Sequence, residues 1–280
     1  MSGTLFVVAT PIGNLQDLTP RARQTLEIVD LIAAEDTRHT GRLLSHFGID
    51  TPQIALHDHN EAEVVTRLIA ELESDRSVAL VSDAGTPLVS DPGYRIVNAA
   101  HEHGIRVSPI VGASALTAGL SVAGLPTDRF CFEGFLPARQ KARRDRIAEM
   151  ANEARTLVFY ESVHRISDLL RDLIDAFGGD RLAFIGRELT KLHEQCVKAP
   201  LSELLRQVLD DTILSKGEFI IVVAGSRVTG RSALDVDRLL VALAEKLPGK
   251  DAAKIIAAAT GEKRNFLYRR LLELTQRRDS

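Results

Sequence analysis

Short apolar runs alternate with longer amphipathic stretches along residues 4–122. Runs at 4–9, 31–34, 53–56, 78–81 and 106–111 have the apolar, β-rich content of strands, whereas 19–29, 40–47, 61–72, 94–103 and 112–122 carry helical spacing. This alternation predicts a parallel sheet covered on both faces by helices. The stretch 78–93 states the unit most clearly: strand, exposed loop, then a helix with Asp91 as N-cap carboxylate and Pro92 at the first helical position. Ligands of open α/β sheets collect at the carboxyl ends of strands. The strand-end loops around Pro11, Asp36, Asp83 and Ser114 are therefore expected to converge on one sheet edge.

Residues 124–127 punctuate the chain, after which the pattern restarts. Strands are expected at 130–135, 156–160, 182–185 and 219–223, with helices at 165–177 and 201–209, giving a second, smaller α/β unit. A basic segment holding Arg139, Lys141, Arg143, Arg144 and Arg146 falls inside it. A polar linker at 225–232 precedes three short helices, 233–246, 250–259 and 265–276. The last two are separated by Thr260-Gly261, as in a helix-turn-helix. The expected organisation is 1–124, 125–226 and a helical tail at 233–280.

Composition narrows the function. A net charge of −3 excludes a generally basic surface, so nucleic-acid contact must come from local patches. No stretch has the length and apolarity of a membrane span, and the N-terminus lacks a signal-peptide layout, so a cytoplasmic protein without a membrane partner is expected. Cys131 and Cys196 stand alone and read as core thiols of a reducing compartment. His57 and His59 flank Asp58 but make too sparse a set for a metal, and no metal is expected.

The usual phosphate devices, Gly-x-Gly-x-x-Gly and Gly-x-x-x-x-Gly-Lys-Ser/Thr, are missing, which favours a ligand without phosphates. Asp83 and Gly85 offer it a carboxylate and bare backbone. Residues 187–194 are dense in charge and follow a strand. They read either as a solvated, self-paired loop or as a strand end delivering Arg187, Glu188 and Lys191.

Seven motifs occur in order: Ala9-Thr10-Pro11-Ile12-Gly13-Asn14-Leu15, Ala34-Glu35-Asp36-Thr37-Arg38, Ser82-Asp83-Ala84-Gly85-Thr86-Pro87, Ser90-Asp91-Pro92-Gly93, Gly112-Ala113-Ser114-Ala115, Gly134-Phe135-Leu136-Pro137 and Arg187-Glu188-Leu189-Thr190-Lys191. Together they resemble the small-subunit ribosomal RNA (cytidine-2′-O)-methyltransferase branch of the tetrapyrrole methylase superfamily, over essentially the whole chain. Val163 departs from the proline usual at its place. The resemblance implies two α/β domains with S-adenosylmethionine in the cleft between them, a homodimer, and methylation of a cytidine ribose in 16S rRNA, with no role for DNA. It places the cofactor against Pro11, Asp83, Ala84, Gly85, Ser114 and Ala115, with Leu88 and Tyr160 as apolar lining. Lys191 and Glu188 become catalytic candidates, with Lys191 a base only if its pKa is depressed by burial or by Arg187. Asp36 is the other catalytic candidate. Arg38, Arg139, Arg143, Arg144, Arg187, Lys263 and Arg264 become RNA contacts. C-methylation of a tetrapyrrole and a non-enzymatic RNA-binding role on the same scaffold are the alternatives.

Overall fold

The computed structural model describes residues 3–57, 60–214, 216–226 and 236–276. The expectations on Asp58 and His59, on most of the linker and on the last four residues of the tail lie outside them. The first sheet comprises β1 (Thr4–Val8), β2 (Leu31–Ala34), β3 (Gln53–Ala55), β4 (Val78–Val81) and β5 (Arg106–Ile110), in the order β3-β2-β4-β1-β5, with every pair parallel. Between the strands run α1 (Pro20–Ile28), α2 (Thr37–Phe47), α3 (Glu61–Glu73) and α4 (Tyr94–Glu102), followed by α5 (Ala115–Val122). β2 and β4 are buried throughout because both sheet faces are covered. The period of two divides their side chains: Val78 and Leu80 join Leu68, Leu72 and Ile96 on one face, while Ala79 and Val81 join Leu26 and Leu44 on the other.

β1 leads leftward to β2 and β4 leads rightward to β5, so the topological switch point lies between the neighbouring strands β4 and β1. Their two loops meet there in an isolated bridge, with the amides and carbonyls of Thr10 and Gly85 bonded at 2.9 and 3.1 Å. The expected cap of α4 is corrected. The helix begins at Tyr94 behind Gly93 (φ 122°), leaving Asp91 in the loop.

The second sheet holds β6 (Phe130–Phe135), β7 (Thr156–Ser162), β8 (Leu182–Arg187), β9 (Gln195–Pro200) and β10 (Glu218–Val223), ordered β6-β7-β10-β8-β9; β6 and β7 are parallel, the other pairs antiparallel. α6 (Gln140–Glu149), α7 (Ile166–Phe177) and α8 (Leu201–Leu209) cover it. β9 was not expected: it is an edge strand of mixed polarity, and Cys196 on it is exposed and not a core thiol. Ile12, Leu120 and Ala123 of the first α/β half pack with Val158, Phe184 and Ile220 of the second in one apolar cluster. Both sheets thus belong to a single compact unit, Met1–Ser226. A second unit, Arg227–Ser280, contains α9 (Val236–Ala244), α10 (Gly249–Thr260) and α11 (Arg264–Gln276) around Leu240, Ala253, Ile256, Leu267 and Leu271. Gly261, in the left-handed conformation, ends α10 and turns the chain into α11.

The basic segment is not the open phosphate surface that it resembles. Arg143 is buried, and its Nε donates to Asp172 Oδ2 at 2.7 Å; Arg144 Nε donates to the other oxygen, Oδ1, at 2.6 Å. Arg143 therefore clamps α6 to α7 and is withdrawn from the RNA-contact set, while Arg144 is half-exposed. Breaking such a pair leaves a buried charge without compensation. Asp172→Ala should cost about 3–5 kcal/mol in urea denaturation, and a well-packed apolar replacement of both Arg143 and Asp172 should recover most of that loss.

Candidate functional site

A cavity of about 380 Å³ opens at the switch point, within the usual span for small-molecule sites. The first half contributes Ile12, Asp83, Ala84, Gly85, Ser114 and Ala115; the second contributes Phe135, Tyr160 and the backbone turn at Gly217. Of the expected cofactor residues, Asp83, Ala84, Gly85, Ser114, Ala115 and Tyr160 line it. Pro11 and Leu88 do not. Pro11 is buried, with its neighbour Ile12 forming the wall, and Leu88 turns toward the first core, where a side chain at Gly93 would meet both it and Leu80.

The wall is acidic. Glu35, Asp83, Asp91, Glu161 and Glu218 all face the cavity. Asp83 also organises its loop, its Oδ1 accepting from the Asp36 amide at 3.1 Å. Burial, abetted by the charges of Glu35 and Asp83, pushes the Asp91 carboxyl up to about 6, against a partial opposing pull from Ser82. Burial also raises Glu161, which lies 3.2 Å from an Arg165 guanidinium nitrogen, and pushes the Tyr160 hydroxyl up to about 12. Tyr160 stands edge-on to Phe132 and Phe135, at 5.0 and 5.7 Å between ring centroids. Sequence reasoning missed Glu35, Asp91, Glu161 and Glu218 as wall residues. Asp91 was disguised as a helix cap, and Glu161 and Glu218 sit inside strand patterns whose facing is set by tertiary packing.

Lys191 and Glu188 stand beside the cavity and not in its wall. The Lys191 ammonium donates to Glu188 Oε1 at 2.8 Å and to Glu218 Oε2 at 3.0 Å. Burial pulls its pKa down, but the hydrogen bonds and charges of the two glutamates outweigh that, and the net shift is upward. Glu188 moves the opposite way: burial raises it, yet the bonds from Lys191 and from the Glu218 amide prevail and lower it. The condition set for Lys191 as a base is therefore not met. Arg187 does not supply the neighbouring cation, because it is buried and committed to the carbonyls of Lys216 (2.6 Å) and His193 (2.9 Å). For the same reason it leaves the RNA-contact set.

Asp36 caps α2, accepting from the Arg38 amide at 2.8 Å, and pairs with the Arg38 side chain at 2.7 Å. Those bonds hold its carboxyl well below the usual range. Its side chain is thus engaged at the helix end and outside the cavity wall. Arg38 is 87% exposed, and Arg139 is exposed at the start of α6, so both remain open to phosphate. In the second unit Lys263 and Arg264 are exposed at the start of α11. Arg270 is spent internally on Asp237 at 2.7 Å.

Residues 4–205 match the family profile of the tetrapyrrole (corrin/porphyrin) methylases, and residues 231–275 that of the RsmI C-terminal HTH domain. Proteins called ribosomal RNA small subunit methyltransferase I are similar along nearly their whole length. The one from Xylella fastidiosa (strain Temecula1) is 53% identical over 95% of this chain and 98% of its own, and the one from Escherichia coli O157:H7 is 50% identical over 97% and 95%. Among solved structures, the methyltransferase CobJ superposes with a TM-score of 0.60 at 19% identity, covering 80% of this chain and 95% of its own. A uroporphyrin-III C-methyltransferase from Thermus thermophilus, complexed with S-adenyl homocysteine, gives 0.55 at 18%, covering 79% and 97%. With an N-terminal unit of the tetrapyrrole methylase fold and relatives that also share its C-terminal region, the chain belongs to the ribosomal RNA small subunit methyltransferase I family.

Proposed function

We propose that this chain transfers the methyl group of S-adenosylmethionine to the ribose 2′-hydroxyl of a cytidine in small-subunit ribosomal RNA, and that it works as a homodimer. The observation that carries RNA over a tetrapyrrole is the helical unit after Ser226. The solved tetrapyrrole methylases cover about 80% of this chain while using nearly all of their own, a share close to that of Met1–Ser226. The relatives named as rRNA methyltransferases cover the rest as well. Exposed Lys263 and Arg264 are cations open to phosphate on that unit, and Arg38 and Arg139 are exposed cations on the first unit. Val111 and Val122, 71% and 53% exposed, are large apolar side chains that a second copy would cover.

The cavity suits the cofactor. It has bare backbone at Gly85, apolar contacts from Ile12 and Tyr160, and carboxylates that favour a cationic ligand; the phosphate loops that such a ligand does not need are missing. Bound there, S-adenosylmethionine supplies a methyl group activated by its positive sulfonium. The protein's part is to align the hydroxyl, balance charge on its oxygen and receive its proton. Lys191, kept protonated, supplies a positive charge to the developing oxyanion. Glu188, kept ionised by Lys191, is the carboxylate assigned in this reading to take the proton.

Tritiated cofactor should label unmodified small subunits and leave tetrapyrroles unlabelled, and the chain cut after Ser226 should keep cofactor affinity while losing most of the labelling. Label in a tetrapyrrole would move the chain to the other chemistry of its fold, and transfer to neither would leave an RNA-binding protein. Lys191→Ala should slow single-turnover transfer by about 10²–10³-fold, the cost of losing one preorganised donor to an oxyanion. Lys191→Arg, still cationic but never a base, should retain clearly more activity than Lys191→Ala; equal loss in both would restore the base.

Asp91 makes a pH-dependent prediction. Glu35 and Asp83 crowd it from the first sheet's loops, and Tyr160 faces it from β7. Its folded-state value exceeds the ordinary 3.8, so the native state binds the extra proton and stability declines as pH rises from 3.8 through about 6. Cofactor affinity should move the other way, weakening as pH falls through about 6 because the protonated carboxyl no longer attracts a cation. In Asp91→Asn, calorimetry should find this component of the pH dependence gone and the unliganded protein more stable at neutral pH.

A further inference from the structure

We propose that Gly13 and Gly217 are positioning residues of the transfer site, each leaving bare backbone on which one member of the Lys191–Glu188 pair lies. The proposal rests on the reading that this pair serves methyl transfer. Gly13 belongs to the loop between β1 and α1, Lys191 to the loop after β8, so the contact joins the two sheets across the cleft. A Cβ at Gly13 would fall 2.7 Å from Lys191 Cε and 2.9 Å from Cδ, and closer still to Cγ. The whole lysine stem therefore crosses the face where a side chain would stand. At Gly217, in the turn entering β10, a Cβ would fall 2.5 Å from Glu188 Cγ and overlap its carboxyl group. Real Cβ atoms essentially never come within 3.0 Å of such neighbours.

The two seats act on one network. Glu188 Oε1 accepts at once from Lys191 Nζ at 2.8 Å and from the Glu218 amide at 3.0 Å, with the glutamate folded back over Gly217. Lys191 reaches Glu188 and Glu218 together with its stem along Gly13. Both glycines have positive φ, 155° and 90°, so a turn requirement is the rival explanation for each. The rival predicts a cost for Gly13→Ala that ignores what stands at position 191. The seat predicts a cost that depends on it, because removing the lysine stem empties the space the new methyl needs.

The test is a double-mutant cycle of Gly13→Ala with Lys191→Ala, read by single-turnover methyl transfer to small subunits, by cofactor affinity and by thermal stability. Gly13→Ala alone should lower the transfer rate by about 10²-fold, as a displaced catalytic group does, with cofactor affinity within about twofold of wild type. Added to Lys191→Ala, it should cost little further. If Gly13→Ala folds poorly, the double variant should fold better than the single one. A Gly13→Ala effect of the same size in both backgrounds, on rate and stability alike, overturns the seat.

Acetic anhydride labelling of Lys191, quantified by mass spectrometry, reads the lysine's position without reference to turnover. Gly13→Ala and Gly217→Ala should each raise its reactivity several-fold toward that of an exposed lysine, and unchanged reactivity in both overturns the proposal. Full activity of Lys191→Ala, with labelling still raised by Gly13→Ala, would instead overturn the reading of the chemistry and leave the seat standing.

Discussion

Beside the cavity lies the charged contact on which the proposed chemistry depends: the Lys191 ammonium, held between Glu188 and Glu218, with its stem laid across Gly13. That lysine comes from the second sheet and the glycine from the first, so the contact lies where the two halves meet. The apolar cluster around Ile12, Leu120 and Ile220 brings those halves together without regard to chemistry. The ion pairs then hold Lys191 protonated and Glu188 ionised. Two carboxylates on one ammonium keep it charged, which argues against Lys191 as a base.

The acidic wall follows a related logic. Burial, and after it the charges of Glu35 and Asp83, raise the proton affinity of Asp91, and a cationic ligand relieves that penalty. Backbone strain collects at the same place: Leu88 and Ser90 in the loop after β4, and Glu188 and Thr190 in the loop after β8, all have positive φ without being glycine. Such conformations persist where the surroundings over-determine them, and they cluster at binding sites. Here the loop around Glu188 is pinned by its own bonds, including the Glu188 amide to the Glu218 carbonyl at 2.9 Å and the Thr190 amide to the Glu194 carboxylate at 2.7 Å.

The first sheet was legible because parallel strands buried on both faces read as plain apolar runs, and each ended in recognisable turn chemistry. β9 was not legible, since Gln195–Pro200 is an edge strand whose pairing with β8 comes from register and not composition. That Asp83, Gly85 and Ser114 line a cavity was legible because ligand sites of open α/β sheets form at strand ends. Arg143 and Arg187 were misjudged for a physical reason. A run of charges reads the same whether solvated or buried, and the partners that decide it, Asp172 for one and the Lys216 and His193 carbonyls for the other, include groups 29 residues distant. Lys191 shares that dependence: Glu218, 27 residues on, helps to reverse the expected direction of its shift.

The central claim, a lysine kept cationic between two glutamates beside the cavity, is tested most directly by following the Lys191 side-chain resonances through a pH titration of the intact protein. The account predicts a midpoint above that of an ordinary lysine, falling when Glu188 or Glu218 is replaced by glutamine. A midpoint near neutral pH in the unaltered protein would contradict it and return Lys191 to the role of general base.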